Sequence, residues 1–253
     1  MARVRERPAR GPGPRRGLLA AVAELFVEPV DVVGAPEPAT ADSRSARPVV
    51  AVVGFGRRCG TTTVARALAV ELAARDAVGA AVVSATALPG GAVPLGSPAA
   101  ARLGRAVQRV LATRTRLAGR LCLALVEPGG EAELVGALRG MAPVVLDVEE
   151  PAGAAVAASL ADSVVLVGGP ATEPALAPVL AASLARVGPP PLVVLNRAAA
   201  GDADAVAAWD RHAAICLPEA RLGAQIALAG REARGGFGHA VGALADRVGA
   251  GAP

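Results

Sequence analysis

The stretch from Val49 to Ala73 reads VVAVVGFGRRCGTTTVARALAVELA. Its first residues are a β-branched apolar run, the composition of a buried strand. A glycine-rich turn comes next, then three threonines, then an Ala/Leu-rich run suited to a helix. Strand, turn and helix start in that order are the layout of a phosphate-binding loop, whose backbone N–H groups meet phosphate oxygens. Gly54, Gly56 and Gly60 punctuate the turn, with Cys59 between the last two. Thr61 and Thr62 stand where the helix begins, placed to offer hydroxyls to a metal or a phosphate. Arg57 and Arg58 add two forked cations whose geometry matches phosphate oxygens. The strict pattern G-x-x-x-x-G-K-[ST] is not met: read from Gly54, the second glycine falls on Cys59 and the lysine on Gly60.

Outward from this stretch, short apolar runs alternate with longer Ala/Leu-rich runs. Strands are expected at 49–54, 79–85, 121–126, 143–148, 163–168, 192–196 and 213–218. Helices are expected near 61–75, 98–117, 131–139, 152–161, 173–187, 203–210 and 237–248. Continuous apolar strands alternating with helices predict a three-layer α/β fold, a mostly parallel, doubly wound sheet with helices on both faces. This domain is expected over 48–253, preceded by an arm at 1–16 and a short helix with a linker at 17–47.

Composition narrows the function classes. The chain has 253 residues and is 53% hydrophobic, enough for a sizeable core, while aromatics make up only 2% and leave little for stacking on nucleic-acid bases. Every one of the 26 basic residues is Arg. The net charge of +4 is concentrated in residues 1–16, which hold six Arg and one Glu. That arm reads either as a solvated tail or as a contact for an anionic surface, membrane or nucleic acid. Cys59, Cys122 and Cys216 are scattered, without a CxxC pair, so neither a zinc site nor a disulfide framework is expected, and a reducing cytoplasm fits. Glu24 interrupts the apolar run at 18–27, which argues against a secretory signal.

The order of motifs resembles the MinD/ParA family of P-loop ATPases, whose deviant loop reads K-G-G-x-G-K-T-T. In GFGRRCGTTT, Phe55 falls on that family's signature lysine, Gly60 on the loop lysine and Thr61 on the magnesium-binding threonine. PVVLDVEEPAG is similar to the strand that ends in a metal-linked Asp, which makes Asp147 the counterpart. ADSVVLVGGP resembles the next strand with its Pro-containing loop. LVVLNR resembles the strand whose terminal Asn recognises the base, which assigns that role to Asn196, with Arg197 beside it. Asn196 is the only Asn in the chain, and a turn residue capping the strand is its other reading. In ICLPEARLGAQIALAGR, Pro218 corresponds to a residue lining the nucleotide pocket.

The resemblance implies ATP or ADP with Mg²⁺ as ligand. It further implies a homodimer, a protein partner in a positioning, pilus or division assembly, and a cytoplasmic location with peripheral contact at the membrane. Departures bear on catalysis. Both lysines are replaced, and the second strand, AVVSATALPGG, lacks the Asp that positions the attacking water, offering Ser84 and Thr86 instead. Hydrolysis needs charge at the leaving phosphate, a metal and an oriented water, so weak or absent turnover is expected and no catalytic residue is assigned. A slow ATPase using Arg57 or Arg58, or an interaction module without nucleotide, are the alternatives. Glu149 and Glu150 are adjacent carboxylates expected in a loop, and His212 a solvated helix end.

Overall fold

The computed structural model describes residues 47–75, 79–85, 96–110, 114–149, 153–199 and 203–250. The basic arm at 1–16, the helix and linker at 17–46, Thr86 and Glu150 lie outside the described residues.

Eight strands form one sheet: β1 (Val49–Gly54), β2 (Ala80–Ser84), β3 (Arg114–Ala118), β4 (Leu121–Leu125), β5 (Val144–Val148), β6 (Ser163–Gly168), β7 (Leu192–Ala198) and β8 (Ile215–Pro218). Their order is β3-β4-β2-β5-β1-β6-β7-β8, parallel throughout except for the β3–β4 hairpin. Eight α-helices accompany them among the described residues: α1 (Thr61–Arg75), α2 (Pro98–Val110), α3 (Glu131–Leu138), α4 (Ala154–Leu160), α5 (Ala177–Leu184), α6 (Ala203–Trp209), α7 (Arg221–Leu228) and α8 (Gly235–Ala250). The three-layer architecture expected from the alternating runs is present.

The strands are apolar on both sides because both sheet faces are covered. Val50, Val52, Val145 and Val165 pack with α1 and α8 through Leu68, Leu72, Leu244 and Val248. Val49, Ala51, Leu146 and Leu166 point the other way, against Leu134, Leu138, Ala158 and Leu184 from α3, α4 and α5. This alternation decides which strand-end residues reach the α1 side. Counting along each strand, Ser84, Asp147 and Asn196 all end up there, at the carboxyl edge of the sheet.

Two elements depart from the expectation. Residues 114–118, read as the end of a long helix, form β3, which pairs antiparallel with β4. Its outward residues Arg114 and Arg116 protect the sheet edge with charge, a pattern that lacks the β-branched signal of a central strand. Residues 221–228 form α7, which packs on α1.

Leaving β1, Phe55 turns inward and is 3% exposed. Its ring meets Trp209 edge-to-face, centroids 5.6 Å apart with planes at 88°. Trp209, 1% exposed, anchors α6 to the sheet through this contact. Trp209→Ala is expected to cost about 3–5 kcal/mol, read as a lowered urea midpoint with unchanged slope.

Candidate functional site

The connections out of β1 and β5 run in opposite directions, β1 to β2 and β5 to β6, so a crevice opens at the carboxyl ends of these strands. The loop 55–60 and the start of α1 border it. Val64 is bonded to the Gly60 carbonyl at 3.0 Å as α1 begins. The first N–H groups of an α-helix lack intrahelical partners and carry the positive end of its dipole. A cavity of about 500 Å³ lies here, lined by exposed Arg58 and Arg197, by Gly56, Gly60 and Leu228, and by the buried Thr61, Arg66, Ser84 and Asp147.

Packing holds the loop in one shape. Cys59 Sγ donates to the Gly56 carbonyl at 2.8 Å and lies 3.2 Å from Thr61 Oγ1. A Cβ on Gly54 would sit 2.3 Å from that hydroxyl, so only glycine lets Thr61 close onto the end of β1. Gly60 has φ +86°, and a Cβ there would come within 2.2 Å of Asn196 Nδ2. Asn196, 3% exposed, donates to the Cys59 carbonyl at 2.9 Å across the sheet. Position 60, where the loop lysine is missing, is thus held open by a buried amide. At the other missing lysine, Phe55 belongs to the core.

The deep end is electrostatically frustrated. Asp147 is 5% exposed and its Oδ1 is buried without a hydrogen-bond partner. Burial pushes its carboxyl up to about 6, and the charge of Glu149 adds to that push, while the Thr62 hydroxyl and the Arg66 guanidinium pull it down. Arg66, 6% exposed, donates from Nη1 to the Leu228 carbonyl at 3.1 Å, and its Nε is buried without a partner. Burial lowers its pKa, opposed by the charge of Asp147. Thr62 Oγ1 donates to Glu149 Oε1 at 3.0 Å. Hydroxyls from Thr61 and Thr62 beside an unpartnered carboxylate oxygen are hard donors of the kind that suit Mg²⁺.

The expected site residues divide accordingly. Gly54, Cys59, Gly60, Thr61, Thr62, Asp147 and Asn196 form one connected cluster. Arg58 and Arg197 are exposed at the cavity wall, both with left-handed backbones, φ 67° and 63°. Non-glycine residues in that region are uncommon and concentrate at functional sites. At Arg197 the cause is a register shift between β7 and β8. Arg57 is exposed and does not line the cavity, and Pro218 ends β8 away from its lining. Two charged lining residues, Arg66 and Glu149, were not among the expected site residues. Arg66 is marked only by its spacing of four from Thr62, one helical face. Glu149 is marked by its spacing of two from Asp147, one strand face.

No family model matches the sequence, and no curated protein matches it. Solved structures do match in fold. A ParA family ATPase from Chlorobium tepidum TLS superposes with TM-score 0.55 at 16% identity, covering 80% of this chain and 98% of that one. The fold is similar to that of this ParA family ATPase. Cobyrinic acid a,c-diamide synthase from Mycobacterium smegmatis, crystallised with ADP and magnesium, matches with TM-score 0.50 at 12% identity over 79% of this chain and 92% of its own. No described helix of the chain is long and apolar enough to cross a membrane.

Two measurements test the site. Gly60→Lys, which writes the family lysine back, is expected to lose about 2–4 kcal/mol, because it meets Asn196 and strands a buried carbonyl. Denaturant unfolding checks it, and an unchanged midpoint would refute the lock. In metal-free buffer, Asp147→Asn is expected to match the native chain near pH 4 and to exceed it at higher pH. A folded-state pKa above the unfolded one stabilises the native chain below the unfolded value, and that contribution is lost as pH rises through about 6. The gap should reach about 3 kcal/mol above pH 7, an upper figure from the size of the shift.

Proposed function

We propose that this chain is a degenerate ParA-like nucleotide-binding protein that acts by binding, as a scaffold or regulator of positioning or assembly, with weak or no ATP hydrolysis. One observation carries the reading. The crevice keeps the backbone loop, the helix start and the buried Asp147, while both family lysine positions are committed to packing, Phe55 against Trp209 and Gly60 beneath Asn196.

ATP or ADP is held in this reading by the loop and α1 N–H groups, with Arg58 and Arg197 at the wall. Asn196 keeps the loop in shape, with the base lying toward β7 and β8. Thr61, Thr62 and Asp147 hold Mg²⁺, which when bound neutralises phosphate charge. At the end of β2, Ser84 stands on the cavity wall, and the Asp that the family carries on this strand to position water is missing, so in this reading nucleotide persists rather than turning over. Binding then serves a homodimer and its protein partner in the cytoplasm, with the arginine-rich arm touching an anionic surface at the membrane. The ADP and magnesium of the cobyrinic acid diamide synthase structure support this ligand class.

Arg58 favours a second reading, a slow ATPase, because it lines the cavity. Calorimetric titration with ATP and ADP, with and without Mg²⁺, followed by a phosphate-release assay, separates the two. The expected result is saturable binding weakened about tenfold without Mg²⁺, equal to about 1.4 kcal/mol, with no sustained phosphate release. Sustained release abolished by Asp147→Ala would establish the slow ATPase, and no binding at millimolar nucleotide would leave an interaction module.

A further inference from the structure

The cavity contains a cation that no loop motif announces. Of its three lining arginines, Arg58 and Arg197 are exposed, and Arg66 alone is nearly sealed, 6% exposed. Arg66 lies in the second turn of α1, about 7.5 Å along the axis from Thr61 at 1.5 Å per residue. Helical side chains lean toward the helix N-terminus, so a guanidinium from this position reaches back toward the loop. Thr62, four residues earlier, lies on the same face and bonds Glu149 beyond the end of β5. That face looks onto the carboxyl ends of β5 and β2, where Asp147 and Ser84 are register partners.

Arg66 has one hydrogen bond, to the Leu228 carbonyl, and a buried Nε without a partner. Asp147, a second residue that lines the cavity, likewise keeps a buried Oδ1 without a partner. No salt bridge joins the two residues among the described ion pairs. Buried polar atoms left unpaired are rare in folded proteins and each costs about 1–3 kcal/mol. A donor and an acceptor both left unpaired on one cavity wall match an anion accompanied by a metal: the anion takes the guanidinium N–H, the metal takes the carboxylate oxygen. The same charge acts more strongly where solvent is excluded than at the exposed Arg58 and Arg197, which water and salt screen.

Strand order tells which phosphate. Asn196 and Arg197 end β7 on one side of β1, and Arg66 faces β5 and β2 on the other. In the pose that the resemblance implies, with the base toward Asn196 and β7, a nucleotide passes its first phosphates over the β1 loop, and its last one lies toward β5 and β2, the side where Arg66 lines the cavity. We infer that Arg66 contacts the terminal phosphate of a bound nucleoside triphosphate and makes this site select triphosphate over diphosphate, in place of the absent loop lysine. This inference rests on the nucleotide-binding reading above.

The test is calorimetric titration of the full chain, native and Arg66→Met, with ADP and with a non-hydrolysable ATP analogue, each with Mg²⁺. The expected result is a native preference for the triphosphate that collapses in Arg66→Met, through an affinity loss of about tenfold or more, while ADP binding changes by less than about twofold. Equal losses for both nucleotides, or none, would overturn the inference and leave nucleotide binding standing. Native chain that binds neither nucleotide would overturn both. Should Arg66→Met fail to fold, the native chain labelled with ¹⁵N-arginine answers instead. The Arg66 Nε–H resonance should shift with the ATP analogue and stay put with ADP, and an identical response to both would refute the assignment.

Discussion

Parallel pairing of β1 between β5 and β6 is the constraint on which the site depends. It sets Val52 opposite Asp147 and Gly54 opposite Val167. A shift of one residue would send every side chain on β1 to the other sheet face. In the observed register both faces of β1 are fully apolar and buried. The loop therefore leaves the sheet at a fixed height, next to Asp147 at the end of β5 on the α1 side. The helices enforce that register by burying Val50 and Val52 on one face and Val49, Ala51 and Val53 on the other.

Within that frame the loop has exchanged chemistry for packing. A lysine at position 55 would carry a charge into the contact with Trp209, and a side chain at position 60 would collide with Asn196. Each of these two positions is tied to a partner distant in sequence. The Asn196 amide holds the Cys59 carbonyl from the far side of β6, linking the loop to the end of β7. What remains polar at the deep end, Arg66 and Asp147, is incompletely satisfied. The site thus joins a loop pinned by hydrogen bonds to a floor whose buried polar atoms are not all paired.

The layered architecture was legible in the sequence because runs such as VVAVVG and SVVLVG, separated by Ala-rich segments, have few ways to bury themselves. The β3 hairpin strand was not legible, since RTRLA follows a helical pattern and its edge position rewards charge rather than β-branching. Asp147 and Asn196 could be singled out because PVVLDV and LVVLNR, in that order, resemble strands of the MinD/ParA family. Arg66 could not, because one Arg in a helix of alanines reads as a solvated side chain until the helix is covered on both sides.

By itself, then, the sequence determined the alternation of the parallel strands with most of their helices, the loop at the end of β1 and the absence of lysine from it. Local composition and periodicity suffice for those, since they depend on neighbours along the chain. Only the tertiary structure decided that Phe55 faces the core, that Asn196 locks Gly60, and that Arg66 shares a cavity with Asp147. Those are contacts between residues up to 154 positions apart by number, as in the Phe55–Trp209 pair. Their geometry follows from strand order and helix packing, which set burial and hence the strength of every charge in the site.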